Sequence, residues 1–212
     1  MIAWSIDAAK ASNCFDAIIV STDDEHIADV SRDAGAEVPF LRPYELANDH
    51  TGTIPVIRHA VEWALANGMP VEAACCIYAT APFVQADTIR RALKILTRER
   101  CDYVFPITSY DFPIWRAVSI MDNGRLEMIN PQFYETRSQD LKEAWHDCGQ
   151  FYWGQREAWL AEKPIFSSDA IPLVIPRYLV QDIDTEEDWT YAEIIFDVLQ
   201  QRSFLKDIIK ND

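Results

Sequence analysis

Residues 17–25, Ala17-Ile18-Ile19-Val20-Ser21-Thr22-Asp23-Asp24-Glu25, decide how the chain is read. Ala17 to Ser21 is a short apolar run of the kind a buried strand needs. Thr22-Asp23-Asp24-Glu25 is a capping-box signature, because a hydroxyl or carboxylate there can satisfy the free N–H groups of a helix start. The spacing predicts a helix through Ile27, Val30 and Ala34, ended by Gly35. A strand that feeds straight into a helix is the repeating unit of α/β folds.

Outward from that unit the rhythm continues. Upstream, Ile2, Ile6 and Ala9 share one helical face. Downstream, Val38 to Leu41 reads as a short strand, followed by a loop from Arg42 to Gly52. A longer helix starts at Thr53, with Pro55 in its first turn and Gly68 at its end. Ala74 to Ala79 reads as a buried strand, Asp87 caps a helix through Ile89, Leu93 and Leu96, and Tyr103 to Ile107 is the next strand. Alternation of this kind implies parallel pairing with crossover helices.

The alternation then breaks. Arg116 to Met121 and Arg125 to Ile129 flank Asp122-Asn123-Gly124, a strong hairpin signal. Residues 130–147 are irregular and polar. Gln150 to Trp153 and Ile171 to Ile175 read as strands. Leu179 to Asp184 runs into a last helix capped near Thr185 that should bury Trp189, Ala192, Ile195 and Leu199. The expected class is α/β: a Rossmann-like, mostly parallel open sheet with crossover helices. One domain spans 1–212, with 110–147 an inserted subregion.

Composition limits the partners. Nineteen Lys and Arg against 34 Asp and Glu give a net charge of −15. Nucleic acid and anionic membranes need basic surface, so neither is expected. The most apolar stretch, Ala73 to Val84, is too short to span a bilayer. Five cysteines, at 14, 75, 76, 101 and 148, fit no disulfide framework and imply a reducing, cytoplasmic setting. No G-x-G-x-x-G or P-loop occurs.

Asp182 and Asp184 are the first chemical candidates. Positions i and i+2 of a strand share a face, and the C-terminal strand ends of open α/β sheets bind ligands. Paired carboxylates there suit Mg²⁺. The competing reading makes Asp184 the N-cap of the last helix, with Glu186 and Glu187 in its acidic first turn. Arg42 and Arg137 lie in polar loops and could clasp a phosphate or carboxylate, or be solvated surface arginines. His146 and Cys148 suggest zinc only loosely, and no base is evident that would make Cys148 a nucleophile.

Several segments resemble one family, the cytidylyltransferases that activate nine-carbon acidic sugars (the CMP-sialic acid synthetase family). They are Phe15 to Asp23 (F-D-A-I-I-V-S-T-D), Leu41 to Asp49 (L-R-P-Y-E-L-A-N-D), Ala79 to Pro82 (A-T-A-P), Ser138 to Leu141 (S-Q-D-L) and Gln181 to Asp188 (Q-D-I-D-T-E-E-D), in family order along nearly the whole chain. Tyr78 to Phe83 (Y-A-T-A-P-F) and His146 to Trp153 (H-D-C-G-Q-F-Y-W) resemble the branch that acts on pseudaminic acid. Tyr78 stands where sialic acid enzymes have a glutamine that reads the sugar.

The resemblance implies that CTP and a nonulosonic acid, pseudaminic acid or alternatively sialic or legionaminic acid, give a CMP-sugar and pyrophosphate. It implies Asp182 and Asp184 as the catalytic, Mg²⁺-holding pair. It places Arg42, Thr51 and Thr53 at the nucleotide, and Tyr78, Arg137, Gln150 and Tyr152 at the sugar. Arg137 falls one residue before the family's arginine. Residues 110–147 are implied to build a homodimer. Family members begin with a strand and a basic phosphate-gripping loop. Here Met1 to Ile6 resembles the helix that follows that loop, so the loop is expected to be absent and the chain is alternatively a catalytically dead binding module. A glycosyltransferase using Asp182-Ile183-Asp184 as a D-x-D motif is the third reading.

Overall fold

The computed structural model describes residues 1–209. Its elements, in chain order, are α1 (Ile2–Ser12), α2 (Glu25–Asp33), α3 (Thr53–Ala66), β1 (Ala73–Ile77), α4 (Ala86–Arg98), β2 (Tyr103–Ser109), β3 (Val118–Ile120), β4 (Leu126–Met128), β5 (Trp145–Asp147), β6 (Phe151–Gln155), α5 (Arg156–Leu160), β7 (Ala170–Val174) and α6 (Glu186–Ile209). The α/β class is as expected, but the pairing is mixed rather than mostly parallel. Among the named strands only β2 and β7 pair in parallel; β1–β6, β2–β6 and β2–β5 are antiparallel. The reason is β6, which returns from the hairpin region and lies between β1 and β2.

Side-chain alternation along β6 divides the core. Phe151 and Trp153 face a cluster with Ile89, Leu96, Val104 and Leu173, and helices α1 and α4 close that side. Tyr152 faces the other way, with Val61, Tyr103, Phe105 and Trp159, under α3 and α5. Successive strand residues point to opposite faces, so one strand serves both layers.

The strand expected at Ala17 to Ser21 is reduced to a single rung, and the one expected at Val38 to Leu41 does not form. Residues 17–21 and 36–40 meet only at a parallel bridge between Ile19 and Glu37, with Val20 N donating to Glu37 O at 2.9 Å and Glu37 N to Ile18 O at 2.8 Å. Pro39 has no N–H to carry the ladder on. Between residues 17–21 and β1 lies a cavity of about 410 Å³, apolar at Ile6, Ala9, Val20, Val56 and Ile77.

Helix starts depart by a residue or two. Asp24 caps α2 by accepting from Ile27 N at 2.8 Å, but Ile27 and Val30 are exposed, and Ala28 and Ser31 make the buried face. Asp87 lies inside the first turn of α4, whose N-cap is Gln85. In α6, Ala192 is buried, whereas Trp189 is exposed. The β3–β4 hairpin forms as expected around Gly124, at φ +75°. No described helix is long and apolar enough to cross a membrane.

Candidate functional site

Parallel β2 and β7 end at the same edge as β1, and β6 begins there. Tyr78, Gln150 and the 177–184 segment therefore converge beyond the strand ends, the usual place for ligands in open α/β sheets. Asp182 and Asp184 are not on a strand. They follow a single 3-10 turn, Arg177–Leu179, in an unpaired segment. Gln150, itself buried, secures that segment by donating its side-chain N–H to Leu179 O at 2.5 Å, while its main-chain carbonyl accepts from Tyr78 N at 2.9 Å. Gln150 thus ties the sheet edge to the carboxylates.

Gly149 sits in the break between β5 and β6, at φ +57°. The two strands run antiparallel to β2 on the same side, and three residues bulge between them. A Cβ at Gly149 would lie 3.2 Å from Asp182 Oδ1. The backbone there approaches the carboxylate as only glycine allows.

The start of α6 bears on the cap reading of Asp184. Thr185 and Asp188 cap each other: Asp188 N donates to Thr185 Oγ1 at 3.2 Å, and Asp188 Oδ2 accepts from Thr185 N at 2.9 Å and Asp184 N at 3.2 Å. The Asp184 carboxylate is not the cap. The Asp182 carboxyl is pushed up, first by burial, then by the negative charges of Asp184 and Asp147. Carboxylates that repel one another, without a paired cation among the described residues, form a donor set suited to a divalent ion. Among the described residues no group of three metal-ligating side chains occurs, so water and substrate oxygens would complete such a sphere.

Across the site, Thr53 opens α3 and its Oγ1 lies 2.7 Å from the Tyr78 hydroxyl. Tyr152 donates its hydroxyl proton to Asp147 Oδ2, which also accepts from Gly149 N at 3.3 Å. Burial chiefly, and Asp147 next, push the Tyr152 phenol well above its ordinary range; burial also raises Tyr78. Ser5, buried in α1, donates to Tyr78 O at 2.7 Å. Arg42 binds Ser21, its Nε reaching Ser21 Oγ at 3.2 Å and its Nη2 donating to Ser21 O. Arg42, Thr51, Thr53, Tyr78 and Thr80 share the polar end of the 410 Å³ cavity.

One expected residue stands apart. Neither this cavity nor a second one is lined by Asp182, Asp184, Gln150, Tyr152 or Arg137, but among the described residues only Arg137 has no contact to the rest of the site: it is exposed and paired with Asp140 at 2.7 Å within the hairpin subregion. That second cavity, of about 940 Å³, holds Arg116, His146, Arg177 and Gln181. Cys148 is buried and its thiol is pushed up to about 12 by burial, which removes it as a nucleophile. Asp147, Ser5 and Arg177 were not foreseen. Asp147 adjoins the Gly149 break within H-D-C-G-Q, and a carboxylate beside such a glycine was the available signal.

Comparison with known proteins is informative at three levels: family profile, curated relatives and solved structures. The profile of the cytidylyltransferase family matches residues 1–198. A pseudaminic acid cytidylyltransferase of Campylobacter jejuni is 36% identical over 96% of this chain and 88% of its own. A CMP-N,N'-diacetyllegionaminic acid synthase of Legionella pneumophila is 30% identical over 95% of this chain and 87% of its own. Among solved structures, a CMP:2-keto-3-deoxy-manno-octonic acid synthetase complexed with CTP superposes with a TM-score of 0.58 at 11% identity, covering 93% of this chain and 88% of that one. A 4-diphosphocytidyl-2C-methyl-D-erythritol synthase from Anaerococcus prevotii superposes with a TM-score of 0.59 at 14% identity, over 92% of this chain and 85% of that one. These two likenesses concern the fold.

Proposed function

The chain belongs to the cytidylyltransferase family, and from that premise we propose that it joins CTP to pseudaminic acid, giving CMP-pseudaminic acid and pyrophosphate. The observation that carries the sugar assignment is the 36% identity to a pseudaminic acid cytidylyltransferase over almost the full length of both chains. The 30% identity to a legionaminic acid synthase keeps a related nonulosonic acid as the second substrate to try.

The reaction is a displacement at phosphorus. The sugar hydroxyl attacks the α-phosphate and loses its proton, and the bond to the β-phosphate oxygen breaks. Positioning and electrostatics supply most of the catalysis in such transfers. Asp182 and Asp184 would hold Mg²⁺, with the cap formed by Thr185 and Asp188 leaving the Asp184 carboxylate available. When bound, the ion offsets the triphosphate charge in a protein that is itself strongly acidic. Arg42, Thr51 and Thr53, at the polar end of the smaller cavity, face the nucleotide in this reading. Tyr78 and Tyr152 meet edge to face, with ring centres 5.6 Å apart, and form the sugar wall. Gln150 positions the carboxylate segment, and Arg137 reaches sugar only if a partner presents it.

That partner is a second copy. Phe112, Ile120, Leu126, Ile129 and Tyr134 are all more than half exposed on the hairpin subregion. Ile120 and Leu126 are directly paired across the hairpin, and exposed apolar side chains gathered on one subregion favour an interface. We place residues 110–147 at the contact of a homodimer, working in the cytoplasm, where CTP is made and free cysteines persist.

Magnesium-dependent release of pyrophosphate from CTP, measured with pseudaminic, legionaminic and sialic acids in parallel, tests the reading. Release that depends on pseudaminic acid supports it. Release only with another of these acids reassigns the sugar, and release with none overturns it.

A further inference from the structure

The proposed reaction frees a proton from the sugar hydroxyl, and some group must take it up. A positioned side chain does this only within reach of the attacking oxygen. That oxygen has to lie between the sugar wall and a phosphate whose ion Asp182 and Asp184 would hold. The strand break at Gly149 joins those two places, and Asp147 stands at its start.

Asp147 is the last residue of β5 and is half-buried. Its Oδ2 accepts from the Tyr152 hydroxyl and from Gly149 N at 3.3 Å. Gly149 in turn meets Asp182, whose Oδ1 would lie 3.2 Å from a Cβ built there. Backbone geometry then keeps the Asp147 and Asp182 carboxylates within about 9 Å of each other, with Gly149 between them. Asp147 Oδ1 has no hydrogen-bond partner among the described residues. It is not one of the buried atoms left without a partner, so it opens to solvent. One oxygen of the carboxylate is held and the other is free.

The groups around it are otherwise engaged. Asp182 and Asp184 face the ion in the proposed reaction, and Asp188 caps α6. Burial pushes the Tyr78 and Tyr152 phenols up, so both keep their protons. His146 precedes Asp147 on β5 and so projects from the opposite face, where its ring centre lies 4.7 Å from that of Tyr110 in the larger cavity. Its Nδ1 is 2.8 Å from Asp147 O.

We propose that Asp147 is the general base of the reaction: Oδ1 takes the proton of the attacking sugar hydroxyl as that oxygen bonds to the α-phosphorus. The bond from the α-phosphorus to the bridging oxygen breaks, and pyrophosphate leaves with its electron pair. The carboxylic acid formed on Asp147 then gives its proton to water. Tyr152 holds Oδ2, which leaves Oδ1 turned to the hydroxyl. The inference rests on the proposed reaction.

D147N tests it in the full chain with CTP, Mg²⁺ and pseudaminic acid. Asparagine keeps the shape and an oxygen for Tyr152 and Gly149, and removes the basic oxygen. The kcat should fall about a hundredfold or more, the scale of a lost general base. The Kd of CTP, the Kd of the sugar and the Mg²⁺ concentration at half-activity should each stay within about threefold. The magnesium figure separates a base from a further metal ligand, whose loss would raise it. The acid limb of the wild-type kcat profile should be missing from D147N. D147A should regain turnover as formate is added, because a small carboxylate can enter the vacated space. A structural role predicts neither result.

A D147N enzyme that keeps more than about a tenth of wild-type kcat overturns the inference. So does an acid limb that persists, a loss confined to the magnesium curve, a D147A enzyme indifferent to formate, or a D147N chain that does not fold, which would make Asp147 structural. Wild type that releases no pyrophosphate with any nonulosonic acid refutes the proposed reaction and this assignment with it. Wild type that turns over while D147N keeps pace refutes the assignment alone.

Discussion

The Asp182 carboxylate lies against the bare Cα of Gly149: a Cβ built there would be 3.2 Å from Oδ1 and 3.3 Å from Oδ2. The strand break at 148–150 and the acidic segment are thus one structural unit, although 33 residues of sequence separate them. Gly149 also has φ +57°, which an L side chain adopts only with strain.

Gly149→Ala should consequently act on the metal pair more than on the fold. The strain costs about 1–2 kcal/mol. The methyl group pushes Asp182 aside by a few tenths of an ångström. The expected result is a folded protein whose magnesium requirement rises about tenfold or more, read from pyrophosphate release against Mg²⁺ concentration. An unchanged magnesium curve would separate Gly149 from the carboxylates.

Asp182→Asn separates stability from activity. The Asp182 carboxyl is raised from its ordinary value by burial first, then by Asp184 and Asp147. A folded-state value above the unfolded one contributes stability at low pH, and that contribution is lost as pH rises through the folded value. Metal-free wild type therefore loses stability across the carboxylate range, and D182N loses less. Thermal unfolding in a chelator should find D182N at least as stable as wild type at pH 7, while magnesium-dependent turnover falls by a hundredfold or more. A variant that is both unstable and inactive would make Asp182 a structural residue.

The sequence carried the order of elements because helix and strand periods are local. It carried the turn at Gly124 and the end of α3 at Gly68 for the same reason, since both glycines take positive φ. It could not show that β6 inserts antiparallel between β1 and β2, because pairing partners are chosen by tertiary packing. Trp189 fitted an apolar helical face yet is exposed; the bond by which the buried Gln150 side chain holds Leu179 O could not be read from spacing either. Asp184 could have been a cap or a ligand by spacing alone; the mutual bonds of Thr185 and Asp188 take the cap role from it. Asp147 drew no notice because its partner, Tyr152, is five residues away across the break.

Gly154 tests the sheet without touching the site. A Cβ there would lie 2.5 Å from Trp159 Nε1 and 2.7 Å from Tyr103 Cδ1, both fully buried. Trp159 is further fixed by donating to Ala74 O at 3.1 Å. Overpacking of this kind costs about 1–3 kcal/mol or more. Gly154→Ala should lower the midpoint of urea unfolding clearly, with Michaelis constants unchanged at a temperature where the variant is folded. A neutral result would show that the α5 layer yields more than its packing implies.

The hairpin supplies the last test, of assembly. Ile120 is 81% exposed on a two-stranded sheet that pairs with no other named strand, and Phe112, in the segment leading to it, is 83% exposed. A two-stranded hairpin has too little core to be stable unsupported, so an apolar face there calls for cover. If a second copy covers it, Ile120→Lys should convert a dimer to a monomer in light scattering and leave the far-ultraviolet spectrum unchanged, because Ile120 contributes nothing to the main core. Activity should fall with loss of the dimer only if the partner completes the sugar site, and Arg137 is the residue placed to do so: exposed, on the same subregion, and bonded, among the described residues, through its side chain to Asp140 alone. The informative comparison is therefore I120K with R137A. Equal losses in sugar kcat/KM, with CTP binding intact in both, would mean that the hairpin presents Arg137 across the interface. A monomeric I120K with full activity would refute that arrangement and leave Arg177 or Arg116, in the larger cavity of the same chain, to meet the sugar carboxylate.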